Sequence, residues 1–70
     1  MHASITVLRL VRAIKRSHRD CDYYPGICIS CGRSAKQNCE ADAENYPCQF
    51  QSCKQLAVYG AEQLLFMMHP

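Results

Sequence analysis

Two stretches decide how this chain folds: Cys28-Ile29-Ser30-Cys31-Gly32 and Cys48-Gln49-Phe50-Gln51-Ser52-Cys53-Lys54. Two cysteines with two residues between them can curl around one ion as a tight knuckle. A divalent ion such as zinc takes four tetrahedral ligands and accepts thiolate readily. Sixteen residues separate Cys31 from Cys48, inside the window of roughly 15–20 found in two-pair zinc sites. Gly32 suits the exit from the first knuckle, where the backbone often needs a positive φ. The second pair is looser, with four intervening residues, and Lys54 rather than glycine follows it. The spacing predicts one structural zinc held by Cys28, Cys31, Cys48 and Cys53. Disulfides, or inert or redox thiols, are the competing readings.

Length makes such a staple necessary. Seventy residues form a single domain over residues 1–70. A chain of that size buries only about 60% of the surface its unfolded form exposes, and its core supplies roughly 3–5 kcal/mol at most. Large barrel enzymes do not fit in this length. The longest apolar run, Leu64-Leu65-Phe66-Met67-Met68, has five residues against the roughly 20 of a membrane span, so no membrane role is expected.

Six cysteines in so short a chain would read as a disulfide framework in a secreted protein and as metal ligands in a reducing cytosol. Near the N-terminus, Ile5-Thr6-Val7-Leu8 is broken by Arg9 and then Arg12, and no small-residue cleavage site follows, unlike a signal peptide. The expectation is a cytoplasmic protein with reduced thiols; an acid-free, arginine-bearing presequence for organelle import is the alternative.

The net charge is only +2, but its distribution is uneven. Five of the eight basic residues, Arg9, Arg12, Lys15, Arg16 and Arg19, lie in the first 19 positions, a segment without any acid. Arg9, Arg12, Arg16 and Arg19 recur at helical intervals, with Val7, Leu8, Val11 and Ile14 on another side. This predicts a basic amphipathic helix over 4–17 with Ser4 as N-cap. Tyr24-Pro25-Gly26 reads as a turn, residues 27–29 and 55–59 as short strands, and 40–44 as at most one helical turn. Residues 61–68 hold good helix formers. The fold class is therefore small α+β: a metal-stapled β region over 27–59 between the N-terminal helix and a short C-terminal one.

Cys21 and Cys39 are left over. His18-x2-Cys21 could be half of another site, Cys39 could replace Cys53 as a ligand, and the two cysteines could pair. The plainer reading is two free thiols packed as small hydrophobes. His2 and His69 read as solvated.

The order Cys-x2-Cys-Gly, then Glu40-Ala41-Asp42-Ala43-Glu44-Asn45-Tyr46-Pro47-Cys48, then Val58-Tyr59-Gly60-Ala61-Glu62-Gln63-Leu64-Leu65 resembles small zinc-ribbon proteins of uncharacterised function from bacteriophages and prophages. The likeness covers roughly residues 18–66. Its second knuckle departs from the usual two-residue spacing followed by glycine. The resemblance implies zinc-ribbon β-hairpins and a bacterial host cytoplasm, and brings no known activity.

No Ser/His/Asp set, paired carboxylates or phosphate-binding glycine loop appears, and four thiolates leave zinc no open position for water. A non-enzymatic role follows. One expectation is a phage-type accessory protein that binds and inhibits or adapts a host protein or ribonucleoprotein complex, as an anti-CRISPR inhibitor of a nucleic-acid-guided defence complex would. The apolar helix sides would then form a homodimer seam or dock on the partner. The alternative is nucleic-acid binding, with Arg9, Arg12, Lys15, Arg16 and Arg19 facing phosphates and aromatics such as Tyr23, Tyr24 or Phe50 stacking bases.

Overall fold

The computed structural model describes residues 1–19 and 23–68. Cys21 and His69 lie outside the described residues, and with them the expectations placed on His18-x2-Cys21 and on a Cys21–Cys39 pair. The elements run in the order α1 (Val7–Arg19), β1 (Gly26–Cys28), β2 (Tyr46–Pro47), β3 (Leu56–Gly60) and α2 (Ala61–Met68). The architecture is α+β, with a three-stranded antiparallel sheet in the order β1-β3-β2.

Helix α1 begins three residues later than the pattern 4–17 suggested and runs two residues further. Thr6 is its N-cap: the Thr6 hydroxyl accepts from the backbone N–H of Arg9 at 3.2 Å, and its carbonyl takes the first helical bond from Leu10 at 3.1 Å, the two roles that define that position. Ser4 instead holds the preceding segment, its N–H donating to His2 Nδ1 at 3.1 Å. The buried face of α1 shares only Ile14 with the core positions expected of it. Leu10 is fully buried, with Ala13 and Ile14 packed beside it, whereas Val7 and Leu8 are exposed.

Strand β3 is the centre of the sheet. It pairs with β1 through Gly26↔Gly60, Ile27↔Tyr59 and Cys28↔Val58, and with β2 through Tyr46↔Val58 and Pro47↔Leu56. Residues 33–35, outside the strands that the sequence pattern marks, return along the free edge of β1: Cys28 N–H donates to Arg33 O at 3.0 Å, Ala35 N–H to Gly26 O at 2.7 Å, and Ile27 bridges Ser34. The first knuckle is therefore the tip of a hairpin. Residues 40–44 make a single turn closed by Ala43 N–H on Glu40 O.

Gly60 ends β3 and α2 follows at once, over the residues the sequence indicated. The first N–H groups of a helix lack internal partners. Here those of Ala61 and Gln63 donate to Pro25 O and Ala41 O, both at 3.1 Å, so the loops before the strands cap α2.

Two small cores result, one on each side of β1. Ile5, Leu10, Ile27, Ala61 and Leu64 join the two helices to the sheet. Cys28, Cys39, Ala43, Cys48 and Val58 form the second, beside the knuckles. Alternation along β1 makes this division, because consecutive strand residues face opposite ways: Ile27 enters the first core and Cys28 the second. Among the described residues, no helix is long and apolar enough to cross a membrane.

Candidate metal centre

The sequence-predicted ligands converge. The sulfurs of Cys28, Cys31, Cys48 and Cys53 all lie within 4.8 Å of one another. Cys28 and Cys53 are 3.6 Å apart, and Cys31 and Cys48 are 3.8 Å apart. Thiolates bound tetrahedrally at a metal–sulfur distance of about 2.3 Å sit about 3.8 Å from one another. A disulfide would need about 2.0 Å, and the five described cysteines are all free. Each close pair joins one sulfur from the first knuckle to one from the second, as an ion clasped between two loops requires. The four residues can therefore hold one metal ion.

The backbone shapes both loops in the same way. Gly32 N–H donates to Cys28 O at 2.8 Å, and Lys54 N–H donates to Phe50 O at 3.1 Å. Gly32 has φ 78° and Lys54 has φ 55°. Residues 50–54 thus repeat the turn of residues 28–32, with Phe50 standing where the first knuckle has Cys28. The fourth ligand, Cys48, comes from two residues earlier, directly after β2, where its N–H donates to Gln55 O at 2.8 Å. This resolves the irregular spacing of the second pair. The turn is an ordinary knuckle, and the strand supplies the displaced sulfur.

Cys28 and Cys53 differ in their electrostatics. Burial pushes Cys28 up to about 12, although the N–H groups of Cys31 and Ser30 point at its sulfur and oppose the rise. The Gln55 N–H brings Cys53 down to about 7 despite some burial, helped by bonding from the Cys28 thiol. Backbone donors aimed at sulfur favour the thiolate, the form that binds metal.

Cys39 takes no place among the ligands. It is buried against β1, where a Cβ on Gly26 would meet its sulfur at 2.5 Å. Its thiol is directed at Gln37 O at 3.7 Å, and burial raises its pKa. It is the small packed hydrophobe of the plainer reading.

The five basic residues of α1 divide. Arg9 turns onto the first knuckle: Nη1 donates to Gly32 O at 2.7 Å and Nη2 to Ser34 Oγ at 3.2 Å. Arg12, Lys15, Arg16 and Arg19 remain exposed together with His18 around one shallow groove. Arg16 also lies over the Tyr23 ring, 4.5 Å from its centroid. A second concavity, about 240 Å³, runs between Arg9, Arg12 and Arg16 of α1 and Tyr23 and Ser34. The one ion pair among the described residues joins His18 to Glu62 at 3.6 Å, so no described carboxylate neutralises the arginines.

Several contributors carry no sequence signal of their own. Gln55 acts only through its backbone. Arg33 and Lys36 both lie over the Phe50 ring, at 4.8 and 4.9 Å from its centroid. An aromatic inside a knuckle loop was the one available hint. The sequence matches no protein-family model, no curated protein and no solved structure at a level that would show kinship.

Proposed function

We propose that this chain is a non-enzymatic nucleic-acid-binding module built around one structural zinc. Tetrahedral four-thiolate sites suit zinc or iron; zinc needs no redox partner and takes this set as a closed structural site. Bound there, it would join the two knuckles and supply folding free energy of the order that so small a core lacks. A closed set leaves no coordination position for substrate, so the metal's work is architectural.

One observation carries the binding role. Arg12, Lys15, Arg16 and Arg19 project from one stretch of α1, exposed and unneutralised by any described carboxylate, while Arg9 ties that helix to the metal loop. A rigidly mounted row of cations is the footprint of a polyanion partner, whose affinity comes mostly from phosphate contacts. Fluorescence anisotropy with labelled oligonucleotides across a salt series tests it. Four phosphate contacts give a slope of log K against log salt of about −3, and Arg12→Ala with Arg16→Ala flattens it. Absence of binding at low salt removes the reading.

A second reading is a phage-type inhibitor of a host protein or nucleic-acid-guided complex, acting through a protein surface. Its support is the apolar exposure of Leu56, Phe66 and Met67, with Phe66 76% exposed. Nuclease-resistant capture of a single bacterial protein, lost in Phe66→Ser, would favour it.

A further inference from the structure

We infer that the cavity beside Phe50 is a nucleobase subsite, and that the nucleic acid this chain binds is single-stranded. The inference rests on the nucleic-acid reading above and goes beyond it, since a row of cations alone would serve a duplex equally well.

The cavity measures about 190 Å³ and lies against the metal loops. It is lined by the buried Cys28 and Val58, by Phe50 and Pro47, and by the exposed Arg33 and Lys36. Gln37 and Gln49 also line it, and no carboxylate does. Drug-sized ligands occupy roughly 300–1,000 Å³, so this space fits one planar ring system. The lining matches a base in kind: an aromatic face for stacking, amides that can both donate and accept along a base edge, and cations for the neighbouring phosphate.

The edge of the sheet connects this cavity to α1. Residues 33 and 34 are consecutive on the strand-like edge beside β1, so their side chains leave on opposite faces. Ser34 reaches the α1 side, where Arg9 Nη2 donates to it at 3.2 Å. Arg33 reaches the other, lying over Phe50 with Nη1 donating to Ser52 Oγ at 3.1 Å. A strand whose phosphates run along Arg12 and Arg16 has only to cross this edge to place a base in the cavity. Lys36, exposed and held to the ring only by its charge, can swing from Phe50 to a phosphate as the base takes its place. A base inside a duplex cannot enter without unpairing, which costs a few kcal/mol.

The test uses the zinc-loaded full chain and a single-stranded oligodeoxynucleotide of roughly eight nucleotides, within the range one small domain covers. Its duplex and the free mononucleotide serve as comparisons. Phe50→Leu keeps an apolar packing residue and should weaken single-strand binding about tenfold while changing duplex binding little. The chain has no tryptophan, so Phe50→Trp provides a lone reporter. Its fluorescence should be quenched by the single strand, weakly by the duplex, and by the mononucleotide only at far higher concentration.

Equal affinity for strand and duplex, or binding without quenching, overturns the base subsite and leaves the cationic-face reading standing. Quenching by the mononucleotide at the oligonucleotide's own concentration also overturns it, in favour of a free nucleotide as occupant. No binding of either nucleic acid at low salt removes both.

Discussion

Lys54 adopts after Cys53 the left-handed backbone that Gly32 adopts after Cys31, φ 55° against 78°. A side chain in that conformation costs about 1 kcal/mol or more. Lys54→Gly should therefore stabilise the metal-loaded protein by about 0.5–1 kcal/mol, a rise of roughly 2–8 °C in Tm. Gly32→Ala should do the reverse and by more, because the new methyl group would also meet the His2 ring, with Nδ1 at 2.5 Å. Paired thermal melts of the two variants check this. An unchanged Tm in Lys54→Gly would count against the left-handed turn.

Arg9 and Arg12 sit three residues apart on α1 and should behave as different kinds of residue. Arg9→Ala removes the charged bond to Gly32 O and should cost about 1.5–3 kcal/mol, with melting as the readout. Arg12→Ala, on the exposed side, should change stability by less than about 0.5 kcal/mol. Its effect should appear in the salt dependence of oligonucleotide binding.

The cysteines should also divide. Native mass spectrometry should find one zinc in the wild type and in Cys39→Ala, and none in Cys53→Ser. Structural zinc is worth about 10–16 kcal/mol in small peptides, comparable to the whole stability of a domain. A chelator should therefore remove most of the ordered circular dichroism and abolish a cooperative melt. A folded, metal-free Cys53→Ser would argue against an architectural role for the ion.

Acid should release the metal, because returning protons compete for thiolate ligands. Cys28 and Cys53 differ in how readily they take a proton. Cys28, which burial pushes up to about 12, regains its proton before Cys53. Cys53, held down to about 7 by the Gln55 N–H, keeps its thiolate to lower pH than Cys28. The sign follows from a pKa lowered in the fold: the Cys53 contribution is present above the ordinary value of 9 and is lost as the pH falls through about 7. In the cobalt-substituted protein, thiolate-to-metal absorption should fall on acidification together with the sheet signal. Absorption unchanged into strong acid would contradict a thiolate set.

Leu10 and Leu8 are both apolar residues of α1, with opposite fates: Leu10 is fully buried and Leu8 is 59% exposed. Leu10→Ala should destabilise by about 2–5 kcal/mol and Leu8→Ala by less than about 0.5 kcal/mol. Denaturant melts of the two variants are the check.

Cysteine spacing by itself pointed to the four sulfurs that meet, and the fold removed Cys39 as a rival to Cys53. Such ligand intervals are set by how tightly a chain can turn around an ion, which is a local property. Helical periodicity likewise marked a basic helix near the N-terminus, and α2 was legible from its composition and from the glycine before it. Only the tertiary structure decided which side of α1 faces inward. Val7, Leu8 and Val11 join Ile14 in as plausible a stripe as Leu10 and Ala13 do; packing on Ile27 and Leu64, together with the Arg9 anchor on Gly32, selects between them.

The same holds for the second knuckle. Its irregular spacing became interpretable only when Phe50 took the position of Cys28 in the repeated turn and β2 delivered Cys48 from the side. Arg33, Ser34 and Phe50 come together through the edge pairing of β1, a contact between segments too far apart in sequence for local pattern to encode. Local geometry wrote the metal site into the sequence. Long-range packing decided which of the remaining charges are anchored and which are left for a partner.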